Sequence, residues 1–224
     1  MEFSLLWAAL TAAAATWVGL QLWSERLPEN ATDRLIAATL FGLVVGRLIA
    51  MIGQGVNPLT NPAEIVVIRG GVSTVAATLA FASSLVWTTR GSVNALDAMA
   101  PAVLFGLAAW HGGCLWSGVC LGTPSDLPWA WAQSGSQVTR HPVELYAALG
   151  LGLAAVIVSR LGWRPWLRAG AALAAASGLR LVTEPLRPSL DGGPTLWYVI
   201  GLTIGILAAV FGDRISEGRQ TSPT

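Results

Sequence analysis

The sequence predicts an all-α membrane protein, a polytopic bundle of about seven transmembrane helices that forms a single domain over residues 1–224. Three observations lead to this prediction. The chain is 54% hydrophobic and 11% charged, whereas soluble domains carry about 25% charged residues. Apolar segments recur along the chain, each close to the roughly 20 residues that cross a bilayer. Eleven tryptophans suit anchoring at the boundary between acyl chains and water.

Seven apolar segments are the candidate spans, and short loops with Gly, Pro and Asn separate them. They cover about residues 3–23, 35–56, 65–88, 96–111, 143–160, 167–184 and 195–211. The first segment lacks a basic n-region and exceeds the roughly 7–15 residues of a signal-peptide core, so we expect a retained span. The fourth is short if it stops at Trp110, and the glycine-rich stretch after it is a candidate re-entrant loop.

The distribution of arginine predicts the orientation, since all 13 basic residues are arginine. Eight of them lie in the C-terminal tail or in the loops that join segments one and two, three and four, and five and six. The opposite loops hold Arg140 and Arg187, with Arg69 at a boundary. Because basic residues concentrate on the cytoplasmic side, we expect an outer N-terminus and a cytoplasmic C-terminus. The net charge of +1 argues against a nucleic-acid partner.

The rare reactive side chains gather in residues 96–146, which contain both histidines and both cysteines. His111, Cys114 and Cys120 match no common zinc spacing, so we expect no metal. A disulfide between the two cysteines is an alternative, because their loop would face an oxidising compartment. His111 is the candidate general base, since imidazole titrates near neutrality. The alternative is a hydrogen-bonded histidine at the membrane interface.

Three arginines lie within or at the edge of apolar segments: Arg47, Arg69 and Arg180. A charge inside the bilayer is costly, so each is by default a functional hypothesis. The alternative is an arginine that snorkels to the headgroups or pairs within the protein. For Arg69 we favour snorkelling. For Arg47 a functional role and a structural pairing are equally supported.

Arg180, Glu184 and Arg187 share one helix face at i, i+4 and i+7, where Arg180 and Glu184 could pair without any function. Pro185 predicts a kink or a helix end just before it. Because the arginine fork grips phosphate, Arg140 together with Arg180 and Arg187 would suit an anionic phospholipid headgroup.

Several short motifs stand in a fixed order over most of the chain. They are Gly46-Arg47-Leu48, Gly70-Gly71-Val72-Ser73, Leu96-Asp97-Ala98-Met99-Ala100-Pro101, the run from His111 to Gly122, Arg140-His141-Pro142-Val143-Glu144-Leu145-Tyr146, and Arg180-x-x-x-Glu184-x-x-Arg187. In this order they resemble the prolipoprotein diacylglyceryl transferases, membrane enzymes of bacterial lipoprotein maturation. The fifth motif is similar to that family's Arg-His-Pro-x-Gln-Leu-Tyr.

The resemblance implies an activity and a place. Members of the family move diacylglycerol from phosphatidylglycerol to the thiol of a lipobox cysteine and release glycerol-1-phosphate. The implied partners are phosphatidylglycerol or another anionic phospholipid, prolipoprotein signal peptides and the membrane, with no cofactor. The implied location is the bacterial cytoplasmic membrane, crossed several times, with the active face toward the periplasm or exterior.

The resemblance also implies two sets of site residues. The motifs imply Arg140, Arg180 and Glu184 as catalytic residues, and we expect His111, the candidate base, to act with them. The implied substrate-binding residues are Arg47, Asp97, Gly113, Cys114, Ser117, Gly122, Tyr146 and Arg187.

The chain departs from the family pattern at polar positions. Val75 stands where the family has a histidine, and His111 stands where it has the signature arginine. Valine cannot accept a proton, and neutral histidine does not replace a permanent guanidinium. Two hypotheses follow: a transferase in which His111 supplies the base, or a divergent member that binds phospholipid without this chemistry. A third, a scaffold that binds metal through His and Cys, is the least favoured.

Overall fold

The computed structural model describes residues 3–66, 71–115, 121–132, 135–188 and 193–220, without the side chains of residues 3–6, 66 and 215–220. This part of the chain is mostly helical. Its helices are α1 (Phe3–Leu22), α2 (Ala31–Gly53), α3 (Ala63–Val66), α4 (Thr74–Thr88), α5 (Val93–Leu115), α6 (Val143–Arg160), α7 (Leu167–Thr183) and α8 (Thr195–Gln220). A 3-10 turn covers Glu184–Leu186, and two short antiparallel strands, β1 (Trp131–Ala132) and β2 (Thr139–Arg140), pair before α6.

Four helices of the described chain are long and apolar enough to cross a membrane: α2, α5, α6 and the Thr195–Arg214 part of α8. Shorter apolar helical stretches cover Trp7–Leu22 and Thr74–Thr88. On α6 the outer face is apolar, with Leu149 65% and Leu153 62% exposed, while Leu151 on the inner face is buried. Apolar surface on this scale belongs in lipid rather than water. The predicted all-α membrane fold is confirmed in this form.

Several of the expected segments begin or end at other residues, among them the third and the fourth. The third was expected over residues 65–88, but α4 begins only at Thr74, after the single turn of α3. The fourth is not short, because α5 continues through Gly112 and Gly113 to Leu115. A Cβ at Gly113 would lie 2.7 Å from the Cα of Ala8, so this glycine lets α1 approach α5 closely. Gly113 thus lies inside α5, while residues 116–120 of the stretch expected to be re-entrant lie outside the described residues.

The chain divides into two compact units, and the first comprises residues 28–96. In it α2 packs against α4 through small residues. A Cβ at Gly42 would lie 2.8 Å from the Ala77 carbonyl oxygen, and one at Gly46 would lie 2.6 Å from the Ala77 Cβ. The Ser73 N–H donates a hydrogen bond to the Gly46 carbonyl at 3.0 Å and joins the start of α4 to α2.

The second unit comprises residues 1–27 and 97–224. Its core joins α5 and α6 through six buried apolar residues, Ala100, Leu104, Ala108, Leu151, Ala155 and Val158. The α7 and α8 backbones also touch, since a Cβ at Gly205 would lie 2.5 Å from the Ala174 nitrogen. Close backbone contact through small residues is typical of helices that associate in lipid.

Candidate functional site

Three backbone segments meet at one end of α6. The Gly122 N–H donates to the His141 carbonyl at 2.8 Å, and the His141 N–H donates to the Thr123 carbonyl at 3.0 Å. The Thr123 N–H donates to the Leu186 carbonyl at 2.8 Å. A Cβ at Gly122 would lie 2.3 Å from the Leu186 carbonyl oxygen, so a larger residue there would push the segments apart. These contacts join the end of the His111–Gly122 run, the entry to α6 and the 3-10 turn after α7.

Glu144, in the first turn of α6, is the centre of the side-chain cluster inside this junction. It is 7% exposed, and its Oε2 contacts Nδ1 of His111, which is 4% exposed. Its Oε1 accepts a hydrogen bond from Arg187 Nη1 at 2.5 Å. A carboxylate near a helix N-terminus is stabilised by the helix dipole, and the two partners compensate its burial. An imidazole and a guanidinium therefore share one buried carboxylate.

Arg187 follows the 3-10 turn and uses only part of its hydrogen-bonding capacity. Its Nε lies 4.0 Å from Oε2 of Glu184, too far for a hydrogen bond. Nε and Nη2 are buried and make no hydrogen bond in the described part of the chain. An unpaired buried donor costs about 1–3 kcal/mol, and this edge of a guanidinium is the one that binds phosphate or carboxylate in a fork. Arg187 thus has two buried donors, Nε and Nη2, that no described residue satisfies.

Arg180 lies on the last turn of α7, half-buried, with its guanidinium carbon 5.9 Å from the centre of the Tyr198 ring. It makes no hydrogen bond or ion pair with any described residue. Tyr198 interacts electrostatically with Arg180, Glu184 and Arg187, so these charged groups are neighbours.

The Arg180–Glu184 pair, which the i, i+4 spacing allows, is not formed in the structure. The helix ends at Thr183, as Pro185 predicts, and this prediction is confirmed. The 3-10 turn then carries the Glu184 carboxylate toward Arg187 and toward the backbone of Gly193, instead of back to Arg180.

Arg140 and Tyr146 lie on either side of the turn that enters α6. Arg140 donates from Nη1 to the Gly122 carbonyl at 3.2 Å and has no carboxylate partner among the described residues. The Tyr146 hydroxyl accepts a hydrogen bond from Trp129 Nε1 at 2.8 Å, and Nδ1 of His141 lies 3.5 Å from it. Arg140 is thus a second guanidinium beside the junction that no carboxylate neutralises.

Asp97 lies at the other end of α5, about 14 residues before His111, which is about 21 Å along a helix. Its carboxylate accepts the Trp166 N–H at 2.8 Å and the Ala169 N–H at 2.7 Å. It thereby satisfies donors at the start of α7, where a helix leaves its first N–H groups unpaired. The structure keeps Asp97 away from the His111–Glu144 cluster.

Arg47 belongs to the unit of residues 28–96 and is 2% exposed. It donates from Nε to the Glu64 carbonyl at 2.9 Å and from Nη1 to the Gly71 carbonyl at 2.9 Å. Its Nη2 lies 3.3 Å from Oε2 of Glu64. The guanidinium therefore joins the two ends of the connection between α3 and α4.

The remaining predicted residues divide into two groups. Gly113 serves the packing of α1 on α5, and Cys114 is disulfide-bonded. Ser117, Cys120 and Arg69 lie outside the described residues. Within the described ranges no group of three or more His, Cys, Asp and Glu side chains could hold a metal ion.

Comparison with known proteins decides the family. The family model for prolipoprotein diacylglyceryl transferases matches residues 1–213. The chain belongs to this family. Among the phosphatidylglycerol–prolipoprotein diacylglyceryl transferases, that of Dechloromonas aromatica is 32% identical over 208 residues, covering 81% of this chain and 78% of that protein.

Two other relatives with the same name are covered less completely. The Paracidovorax citrulli protein is 34% identical over 174 residues, which are 72% of this chain and 62% of that protein. The Chlamydia trachomatis protein is 29% identical over 168 residues, which are 67% of this chain and 61% of that protein. The chain thus spans about three fifths of the length of these two transferases.

Reasoning from the sequence did not select Glu144, the residue at the centre of the cluster in this family member. Two signals could have found it. It is a carboxylate in the first turn of an apolar segment, and an ionisable group there requires a partner. It also stands where the family motif quoted above has a glutamine.

Proposed function

We propose that the chain transfers diacylglycerol from phosphatidylglycerol to the thiol of a lipobox cysteine in a prolipoprotein. The observation that carries the proposal is the open Nε–Nη2 edge of Arg187 beside the buried His111–Glu144 pair. One part of this cluster can bind an anion and the other can accept a proton. Family membership and the substrates named for the relatives support the same reaction.

The donor phosphate would bind to the guanidinium groups. Arg140, Arg180 and Arg187 supply three positive charges, against the two carboxylates of Glu144 and Glu184. The surplus favours a phosphodiester anion, and the fork of Arg187 can stabilise the charge that grows on the departing glycerol phosphate. Glu184, within ion-pair distance of Arg187, would hold that fork in place.

His111 would accept the proton of the acceptor thiol. The thiolate sulfur then forms a bond to the glycerol carbon of the diacylglycerol unit, and the bond from that carbon to the phosphate oxygen breaks. Glycerol phosphate leaves with the bonding electrons, and the proton on the imidazole passes to it or to water. The step needs no oxidant, reductant or metal, because only a proton and a carbon substituent change place.

Arg47 and Asp97 would support the fold rather than contact the donor. Arg47 donates to the backbone of Glu64 and Gly71, on either side of the connection from α3 to α4. Both oxygens of Asp97 accept backbone N–H groups at the start of α7. Tyr146 and Gly122 would shape the wall of the donor site through the turn that enters α6.

The orientation belongs to the same proposal. Seven spans with an outer N-terminus would place the junction at the entry to α6 on the periplasmic side of the bacterial cytoplasmic membrane. Prolipoproteins present their cysteine there, and the apolar part of their signal peptides would reach the site through lipid. The eight arginines on the opposite side support this arrangement.

A second function rests on Val75, the α4 residue at the position of the family histidine. Without that imidazole the protein could hold an anionic phospholipid and not transfer its diacylglycerol. Native mass spectrometry separates the two functions. A bound anionic lipid together with no turnover would support the second, whereas an empty protein would exclude it.

Complementation tests the first function in cells. We expect the chain to restore growth and lipoprotein maturation in a bacterium depleted of its own transferase. The Arg187→Gln variant, produced at the same level, should fail. Equal failure of the unchanged chain at normal membrane abundance would speak against the transferase.

A further inference from the structure

Two departures from the family pattern touch each other. His111 stands where the family has an arginine, and Glu144 stands where the motif has a glutamine. In the structure the His111 imidazole and the Glu144 carboxylate are in direct contact, and both residues are buried. Both departures from the motif therefore lie at one contact in this chain.

The contact determines which imidazole nitrogen carries the proton. An ionised carboxylate only accepts hydrogen bonds, and Glu144 already accepts one from Arg187 on its other oxygen. Nδ1 of His111 must therefore donate its N–H to Glu144. In a neutral imidazole the other nitrogen, Nε2, then has a free lone pair. Nε2 makes no hydrogen bond to any described residue.

We propose that Glu144 is a positioning residue, which holds His111 so that Nε2 is the proton acceptor for the incoming thiol. The inference rests on the proposed transferase function and adds Glu144 as the residue that orients the base, His111. In the step, the thiol S–H bond breaks, its proton moves to Nε2, and the Glu144 carboxylate faces the imidazolium that forms. The proton then leaves with the glycerol phosphate or through water.

The residues of the family pattern could not do this at these positions. Arginine stays protonated and cannot act as a base. Glutamine has no charge to stabilise an imidazolium, and its amide can present either an oxygen or an NH₂ to Nδ1. A carboxylate fixed by Arg187 offers only acceptors, so it selects one tautomer. Arg187 is the charged group in direct contact with the pair. Glu184 is the next charged group, because it lies within ion-pair distance of Arg187.

The tautomer can be measured without any substitution at residue 144. We would label histidine with ¹⁵N and record imidazole spectra of the full chain in lipid nanodiscs near neutral pH. The chain has two histidines, so the His141→Gln variant assigns the His111 signals. We expect a neutral ring with protonated Nδ1 and bare Nε2. A ring protonated on Nε2, or on both nitrogens, would overturn the proposal.

Substitution at residue 144 supplies the second measurement. Glu144→Gln should lose the Nδ1–H signature, and Glu144→Asp should keep part of it. The matched control is Asp213→Asn, which removes the carboxylate of the separate Arg164–Asp213 ion pair and should leave the His111 signals unchanged. A Glu144→Gln spectrum identical to that of the unchanged protein would also overturn the proposal.

Kinetics separate positioning from binding. Because general base catalysis contributes about 10²–10⁴-fold, Glu144→Gln should lower kcat by roughly 100-fold or more, with the KM for phosphatidylglycerol changed less than about threefold. An unchanged kcat would contradict the role of Glu144. If the unchanged protein shows the Nδ1–H tautomer but no turnover, the transferase function fails while the tautomer assignment stands, so the two failures are distinguishable.

Discussion

At the scale of single residues, one buried carboxylate organises the candidate site. Glu144 binds His111 on one oxygen and Arg187 on the other. The sequence predicted both of these partners as site residues and missed the group that joins them. Motif comparison draws attention to arginines that could bind phosphate. The contacts of Glu144 become visible only when the helices are packed.

Arg187 is the residue at which anion binding can be tested most directly. Arg187→Lys keeps the positive charge and removes the fork formed by Nε and Nη2. We expect the KM for phosphatidylglycerol to rise by about 10-fold, the effect of roughly 1.4 kcal/mol of lost binding. Initial rates of the nanodisc-embedded protein, recorded at increasing mole fractions of this lipid, measure the KM.

The control for this prediction is Arg164→Lys. Arg164 also pairs with a carboxylate, that of Asp213, but its side chain is 60% exposed. Its replacement should leave the KM unchanged. Equal KM values for the Arg187→Lys variant and the unchanged protein would mean that the open donors do not bind the donor lipid.

At the scale of helices, the two ends of α7 show what sequence could and could not predict. The end before Pro185 follows from the missing N–H of proline, which is a local property, and it was predicted. The pairing of Glu184 with Arg187 depends on the 3-10 turn after that end, so the i, i+4 rule selected the wrong partner. Likewise, Asp97 supports the start of α7 from about 70 residues away, and no local pattern contains that contact.

The role of Asp97 at the start of α7 predicts a loss of stability. Asp97→Ala leaves the partly buried N–H groups of Trp166 and Ala169 without their acceptor, which should lower the free energy of unfolding by about 1–3 kcal/mol. Unfolding in mixed micelles measures this change. Asp33→Ala, which removes an exposed carboxylate from the first turn of α2, should cost no more than about 0.5 kcal/mol. Unchanged stability together with a raised KM for phosphatidylglycerol would place Asp97 in the donor site instead.

At the scale of the whole molecule, hydropathy located the helices because lipid requires long apolar segments with internally paired backbones. It gave too short a segment at α5, which was expected over residues 96–111 and continues through Gly112 and Gly113 to Leu115. In lipid such glycines serve close packing, and α1 occupies the space beside Gly113. Hydropathy also could not show what Arg47 does, because two of its acceptors are backbone carbonyls from a distant part of the chain.

The proposed orientation can be tested with reporter fusions. Because eight arginines lie in the C-terminal tail and in the loops predicted on the same side, a fluorescent protein fused to the C-terminus should fold in the cytoplasm and fluoresce. Alkaline phosphatase at the same position should be inactive, and it should be active when inserted after residue 126, in the loop before β1. The reverse pattern of the two reporters would place the site on the cytoplasmic side.

The central claim is that this chain is a working transferase with His111 as its base, although Val75 replaces the family histidine. The purified protein in nanodiscs should convert phosphatidylglycerol and a lipobox peptide to a peptide heavier by one diacylglyceryl group on its cysteine, seen by intact mass. A peptide with serine in place of that cysteine should remain unmodified, and His111→Ala should lower the rate by about 10²–10⁴-fold. No thioether product above background from folded, lipid-bound protein would contradict the account.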